Sequence, residues 1–248
     1  MNPKPDSIHI GTSGWHYVHW QGPFYPDDLG PERYLEFYAD RFHTVEINNS
    51  FYQLPTERAL SAWRDTVPPG FIFAVKGSRF ITHMKKLKDP EKTLPPFLNR
   101  VSLLEDKLGP ILFQLPPGWH SNVDRLKSFL AALSKEFQYT FEFRDPSWFN
   151  QQVYDTLSGK DAAFCIYDLD EQLSPKIVTA KFVYIRLHGP DGPYQGNYST
   201  KTLSTWAKEF ASWSKQGKSV YCYFDNDQMG YAAKNALKLL EIGGWKES

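Results

Sequence analysis

Charged side chains stand at the ends of several apolar runs of this 248-residue chain, and their types suit proton transfer and anion binding. Glu46 and Glu142 are carboxylates that could act as general acid and general base, with His188 as a proton shuttle. Planar guanidinium groups and ammonium groups bind phosphate or carboxylate. The cationic candidates are Lys76, Arg79, Arg144 and Arg186. These residues predict an acid–base site for an anionic substrate.

The two carboxylates alone do not specify a reaction. Their separation decides between glycosidase mechanisms, and the sequence does not give it. Arg144 follows Glu142 by two residues and favours a permanently ionised carboxylate there. Hydrolysis, lysis and isomerisation therefore remain open, and enzyme status itself is uncertain.

A divalent metal is a less favoured alternative. Glu46, Glu142, Asp168 and His188 could supply ligands, as in barrel enzymes that cleave phosphodiesters. Three neighbouring cations would repel a metal ion, and no HxH or HExxH spacing is present. The cofactor is thus unknown, and no metal ligand is assigned.

Aromatic and amide side chains extend the candidate binding site. Trp15, Tyr17 and Trp148 could stack on a base or sugar ring, but a satellite core beneath the long loop 14–26 is an equal alternative. Asn48, Gln114 and Asp225 add polar groups at other strand ends. Ser13 in GTSG lacks a GxSxG elbow and is not interpreted as a nucleophile.

Eight apolar runs must position these residues, and they alternate with segments long enough for helices. Repeated strand–helix alternation over about 250 residues is the pattern of a single TIM-like (β/α)8 barrel in one domain, 1–248. The carboxyl ends of such strands carry the chemistry. The predicted strand runs are 8–14, 44–51, 71–79, 110–117, 139–145, 162–168, 182–188 and 219–227.

Period-2 alternation along the strands predicts which side chains share a face. Tyr184, Arg186 and His188 should lie on the polar face of one strand, and Thr140, Glu142 and Arg144 on that of another. We expect Asp168 and Asp225 on the same face, although a one-residue slip would reverse either assignment. The predicted helices are 31–42, 56–66, 91–108, 122–137, 149–159, 199–217 and 229–241, with a basic loop at 82–89 and a helical turn within 169–181.

The composition indicates which classes of binding partner the chain favours. The chain has 28 basic and 28 acidic residues, and this neutral balance does not favour nucleic acid, although a local basic groove stays open. Cys165 and Cys222 lie in predicted strands as small buried hydrophobes. The lead-in 1–7 lacks a signal sequence and no apolar run is long enough to span a membrane, so we expect no membrane partner and a cytoplasmic location.

Several segments of the sequence resemble the YecE-like family, known as domain of unknown function family 72, and the resemblance covers essentially the whole chain. The resemblance implies a TIM-type barrel and no established reaction, so no catalytic residue follows from it. The segments that carry the resemblance are GTSGWHYVHWQGPFYP, VEINNSFYQLP, FAVKGSRFITH, GPILFQLPP, FEFRDPSWF, VYIRLHG and YCYFDND.

The function expected from these observations is an enzyme that uses acid–base chemistry on a phosphorylated, nucleotide-like or otherwise anionic small molecule. Two alternatives stay open. One is a metal-dependent phosphodiesterase of the endonuclease-like barrel type, which acts on nucleic acid. The other is a non-catalytic module that binds a ligand or nucleic acid, because a fold does not determine a function.

Overall fold

The chain has a TIM-like (β/α)8 fold, seen in a computed structural model that describes residues 7–170 and 172–245. Each of the eight predicted strand runs contains or overlaps a strand. The strands are β1 Ile8–Thr12, β2 Thr44–Ile47, β3 Ile72–Lys76, β4 Leu108–Gln114, β5 Tyr139–Glu142, β6 Ala163–Leu169, β7 Gln172–Leu173, β8 Phe182–Leu187 and β9 Ser219–Phe224. The predicted lead-in 1–7 lies outside the described residues except for Ser7.

Helices follow the strands much as the capping residues and apolar spacing predict. Side-chain oxygens of Thr56, Asn122 and Ser199 accept the backbone N–H three residues on, which fixes three helix starts. The helices are α1 Tyr34–Ala39, α2 Glu57–Thr66, α3 Pro90–Val101, α4 Val123–Ala132, α5 Gln151–Ser158, α6 Thr200–Lys215 and α7 Tyr231–Gly243. Short 3-10 turns lie beside several of them.

The chain divides into two compact units, and the prediction of one domain stays a prediction. The first unit comprises residues 7–46, 166–170, 172–174 and 181–245. In it β9 pairs in parallel with β1 and β8, and Tyr223 is the register partner of both Gly11 and Arg186. A Cβ at Gly11 would lie 2.2 Å from the carbonyl oxygen of Thr44, so glycine permits this close backbone approach.

The second unit comprises residues 47–165 and 175–180. Its strands β3, β4, β5 and the start of β6 are paired in parallel, with Lys76 opposite Leu112 and Gln114 opposite Glu142. The ring of Phe113 packs against Phe129 of α4 at 5.1 Å. The apolar face of β4 therefore lies against helices, and its polar partners lie on the opposite face.

The prediction for Asp168 was wrong. Its carboxylate accepts a hydrogen bond from the Tyr198 hydroxyl at 3.0 Å. The Tyr198 ring packs edge-on against Phe224, which alternates along β9 with Tyr223 and precedes Asp225. Asp168 thus lies on the face opposite to Asp225. The apolar run 162–168 has only one charged residue and does not specify which face that residue takes.

Two loop predictions also change. The basic stretch was predicted as a loop, but it overlaps a π-helical turn, Phe80–Met84, that follows β3. The segment expected to hold a helical turn instead contains β7, which pairs antiparallel with β6. Ser174 fixes this hairpin, because its N–H bonds the Tyr167 carbonyl and its Oγ accepts the Tyr167 N–H, both at 2.9 Å. No described helix is long and apolar enough to cross a bilayer.

Candidate functional site

Six polar side chains of the first unit form one buried group, here called the Arg186 cluster. They come from the ends of β1, β2, β8 and β9 and from the residues that directly follow. Each is at most 6% exposed. The members are Ser13, Glu46, Tyr184, Arg186, His188 and Asp225. The alternation rule predicted this face of β8, and the structure confirms it there.

Glu46 is fully engaged by donors. Its Oε1 accepts the Ser13 hydroxyl at 2.5 Å and two bonds from Arg186, from Nη2 at 2.8 Å and Nε at 3.2 Å. Its Oε2 accepts the Tyr184 hydroxyl at 2.6 Å. Four donated hydrogen bonds therefore fix the Glu46 carboxylate beside Arg186.

Asp225 connects Arg186 to His188. Its Oδ2 lies 3.0 Å from Arg186 Nη2 and 3.0 Å from His188 Nδ1. His188 Nε2 lies 3.4 Å from Arg186 Nη1. Because a guanidinium only donates, Nε2 accepts there, and we assign the imidazole proton to Nδ1, facing Asp225. A carboxylate that orients an imidazole in this way is typical of acid–base sites.

Arg186 is paired with carboxylates of the protein, and its predicted anion-binding role stays a prediction. Its side chain is 1% exposed and lies between two carboxylates, so its charge is already compensated. A buried guanidinium released from such partners would be costly to leave unpaired. Arg186 therefore holds Glu46 and Asp225 in place beside His188.

The first-loop aromatics separate into two groups. Trp15 is 7% exposed, and its carbonyl accepts the hydroxyl of the buried Tyr25, whose ring stacks on Tyr34 at 4.0 Å. These rings form the satellite core. Tyr17 is only partly buried and donates its hydroxyl to the Ser13 carbonyl at 2.6 Å. Burial and the nearby Asp225 raise the pKa of Tyr17, which stays a neutral donor beside the Arg186 cluster.

A second group, here called the Lys76 cluster, lies in the second unit and consists of Phe51, Lys76, Arg79 and His83. Lys76 Nζ lies 4.5 Å from the centre of the Phe51 ring, and the His83 ring packs edge-on against the same ring at 4.9 Å. Lys76 is 8% exposed, whereas Arg79 is exposed at the start of the π-helical turn. One aromatic ring thus brings a cation and an imidazole together.

His83 has a perturbed titration. Burial lowers its pKa below the ordinary 6.5, and the charges of Lys76 and Arg79 lower it further. The hydroxyl of Thr82 lies 2.9 Å from His83 Nδ1. His83 is therefore a neutral imidazole at neutral pH, and it lies in a positive field.

The remaining candidates of the second unit lie along neighbouring strand ends. Glu142 Oε1 forms a buried ion pair with Arg144 Nη2, and Glu142 Oε2 accepts a long contact from the Cys165 thiol at 3.8 Å. Gln114 is the register partner of Glu142. Asn48 precedes the 3-10 turn Asn49–Phe51, and its carbonyl accepts the Phe51 N–H at 3.2 Å. Glu142 and Arg144 thus form a buried ion pair, and the predicted roles of these residues stay predictions.

The predicted stacking role of Trp148 was wrong. The residue is 0% exposed, its ring stacks on Phe143 at 4.8 Å, and its indole N–H donates to the Trp119 carbonyl at 2.6 Å. Trp148 belongs to the core of the second unit. Aromatic content alone did not distinguish a stacking surface from packing, because both use the same side chains.

Sequence reasoning missed three polar residues of these clusters as site members. Ser13 was set aside for lack of an elbow motif, yet it bonds Glu46. Tyr184 was assigned to the correct face but given no role. His83 follows Arg79 by four residues, a spacing that places both on one face of a helical turn and could have indicated their proximity.

The described residues were compared for groups of side chains that could bind a metal ion. Among the residues that the structure describes, no three His, Cys, Asp or Glu side chains are grouped so as to hold an ion.

Comparison with known proteins identifies one matching family and several relatives. A family model described as "Protein of unknown function DUF72" matches residues 9–248. The UPF0759 protein YecE of Escherichia coli O157:H7 is 32% identical, over 94% of this chain and 92% of its own. The UPF0759 protein YunF of Bacillus subtilis is 27% identical, over 95% and 94%.

Solved structures agree with the fold. A DUF72 family protein from Thermotoga maritima MSB8 is 28% identical and superposes with a TM-score of 0.87, covering 95% of this chain and 98% of that one. A DUF72 family protein from Enterococcus faecalis V583 has a TM-score of 0.83 at 19% identity, with 97% of each chain covered, and supports the fold alone.

Proposed function

Because the chain belongs to the DUF72 family, whose description specifies no reaction, we propose its function from the site geometry. The protein is an enzyme that binds a phosphorylated, nucleotide-like or otherwise anionic small molecule and moves a proton on it. Hydrolases, lyases and isomerases all use this chemistry.

One observation supports the proposal most strongly: Lys76 and His83 pack on the same Phe51 ring, and Arg79 adds to the positive field at His83. The two cations attract an anion, and the neutral imidazole accepts a proton without first losing one. The Lys76 cluster thus offers substrate binding and general-base chemistry within the second unit. His188, oriented by Asp225, is a further proton carrier in the first unit.

Anion binding is tested by calorimetric titration with inorganic phosphate, pyrophosphate and nucleoside monophosphates. Lys76→Met keeps an apolar side chain on Phe51 and removes the charge. We expect it to weaken the tightest of these ligands about tenfold, or about 1.4 kcal/mol. The matched control is Lys85→Met, directly after the π-helical turn Phe80–Met84, since Lys85 lies over Phe80 and beside Asp89. Equal affinities of wild type and Lys76→Met would refute the anion site.

Catalysis is then tested with the ligand that binds. His83→Gln should keep the affinity and lose turnover, and the wild-type rate should fall on the acid side with a midpoint below pH 6.5. Loss of affinity together with turnover would instead make His83 a binding residue.

A non-catalytic binding module is the second candidate, and one observation favours it. Both predicted acid–base carboxylates are held in ion pairs, Glu46 by Arg186 and Glu142 by Arg144. A module that binds an anion needs only the cations. In that case the wild type binds phosphate in the titration and converts none of the phosphorylated ligands.

A further inference from the structure

His188 is buried beneath a tyrosine that is itself half-exposed. The His188 ring is 0% exposed, and the Tyr194 ring packs edge-on against it with the ring centres 5.6 Å apart. Tyr194 is 48% exposed, so one side of its ring faces water while an edge contact covers the imidazole. A large ring in this position separates His188 from solvent.

The backbone that holds Tyr194 has a conformation that L residues rarely adopt. Tyr194 has φ +64°, and it lies between Gly192 at φ +124° and Gly196 at φ +85°. A tyrosine in the left-handed region is strained, and such strain persists where the surrounding structure or a function requires it. Glycines on both sides allow the segment between them to change conformation at little cost.

Side chains outside the loop bond the backbone at its base. The Gly196 carbonyl accepts a hydrogen bond from Asn226 Nδ2 at 2.8 Å, and the Tyr198 N–H donates to Asn235 Oδ1 at 3.2 Å. Within the tip, backbone bonds are local and long, from Asp191 to Gln195 at 3.5 Å and from Gln195 to Gly192 at 3.2 Å. Gly196 and Tyr198 are thus bonded to side chains outside the loop, whereas the backbone bonds of Asp191 and Gln195 stay within it.

We propose that Tyr194 is a gating residue: its ring closes the His188–Asp225 pair from solvent, and its displacement admits a ligand to the imidazole. When the ring is in place, both ring nitrogens of His188 face protein groups, Asp225 on one side and Arg186 on the other. When the ring moves, the imidazole face that it covers is the surface a ligand meets. The gate goes beyond the proposed function and does not rest on it, because its test measures exposure rather than turnover.

Hydroxyl-radical footprinting read by peptide mass spectrometry measures the solvent exposure of His188 directly. Tyr194→Ala removes the ring, and we expect His188 to oxidise several-fold faster in this variant than in wild type. Tyr194→Phe keeps the ring and should leave the rate unchanged. Tyr194→Gly removes both the ring and the backbone strain, and should match Tyr194→Ala. His120, whose side chain is 84% exposed, serves as the reference for radical dose.

Three results would overturn the gate. The first is an unchanged His188 rate in both Tyr194→Ala and Tyr194→Gly. The second is an equal rise in Tyr194→Phe, which would mean that the ring is not the shield. The third is a matching rise at the buried Trp148 of the second unit, which would show general loosening instead of a local opening.

Discussion

At the scale of single residues, Glu46 combines complete burial with four hydrogen bonds. Glu46→Gln removes the charge that balances Arg186 and places an amide group where donors already converge. Loss of one partner from a buried ion pair costs about 3–5 kcal/mol, and we expect the lower end because Asp225 still faces Arg186. Urea unfolding should therefore show a loss of about 3 kcal/mol in the free energy of unfolding.

Tyr184→Phe is the matched control for Glu46. It removes one hydrogen bond to the carboxylate and keeps every charge, so we expect a loss of about 1.5–3 kcal/mol. If Glu46→Gln unfolds at the wild-type urea concentration, the Arg186 cluster contributes little to stability.

His83 gives a prediction with a definite sign in pH. Its pKa is lowered in the folded protein by burial, Lys76 and Arg79, so the unfolded chain binds a proton more readily. The contribution of His83 to stability is present above pH 6.5 and is lost as the pH falls through the lower folded pKa. The free energies of unfolding of wild type and His83→Gln are measured by urea titration at several pH values from 7.5 to 5. As the pH falls, the value for wild type should decline relative to that of His83→Gln.

Lys76→Met gives the control for the cause of that shift. Removing this cation raises the folded pKa of His83 toward its ordinary value, so the acid decline should be smaller in this variant. Parallel pH curves for wild type and His83→Gln would contradict the account of His83 as a neutral imidazole held in a positive field.

At the scale of elements, α7 fixes the loop after β8 through one amide. Asn235 is 3% exposed; its Oδ1 accepts from Tyr198 N and from Asn226 Nδ2, and its Nδ2 donates to Asn197. Asn235→Ala leaves these groups without that partner, and we expect a loss of about 2 kcal/mol in stability. Hydrogen exchange at the Tyr198 amide should also become faster.

Asn235→Asp separates the two functions of the amide. It keeps the acceptor for Tyr198 and loses the donor to Asn197, so protection of the Tyr198 amide should be largely retained. Equal protection of this amide in wild type and Asn235→Ala would mean that α7 does not hold the loop.

The elements were largely predictable because their signals are local. Apolar runs mark every long strand, and the capping residues Thr56 and Asn122 mark two helix starts. The π-helical turn Phe80–Met84 lacks such signals, because a short mixed stretch of apolar and basic residues also suits a loop. The face of Asp168 was missed because one polar residue in an apolar strand does not fix the alternation.

At the scale of the whole molecule, the sequence indicated which residues belong to the candidate site. It did not indicate which of them contact one another. Strand alternation indicates that Glu46, Arg186 and Asp225 share a face, yet which carboxylate meets which cation depends on registers between strands far apart in sequence. The same limit applies to Trp148, whose burial follows from packing on Phe143 and not from its own neighbours in the chain. Local patterns predict elements, whereas pairings across elements need coordinates.

The burial of single tryptophans has an optical consequence. Trp20 of the first unit and Trp148 of the second are both 0% exposed. Indole emission shifts to longer wavelength when water reaches the ring, so each unit contains its own fluorescent reporter without any added label. With the other six of the chain's eight tryptophans replaced by phenylalanine, Trp20 and Trp148 can be observed one at a time, and coincident transitions from the two are the ordinary criterion for cooperative unfolding. The chain thus provides the means to decide whether its two units melt as one.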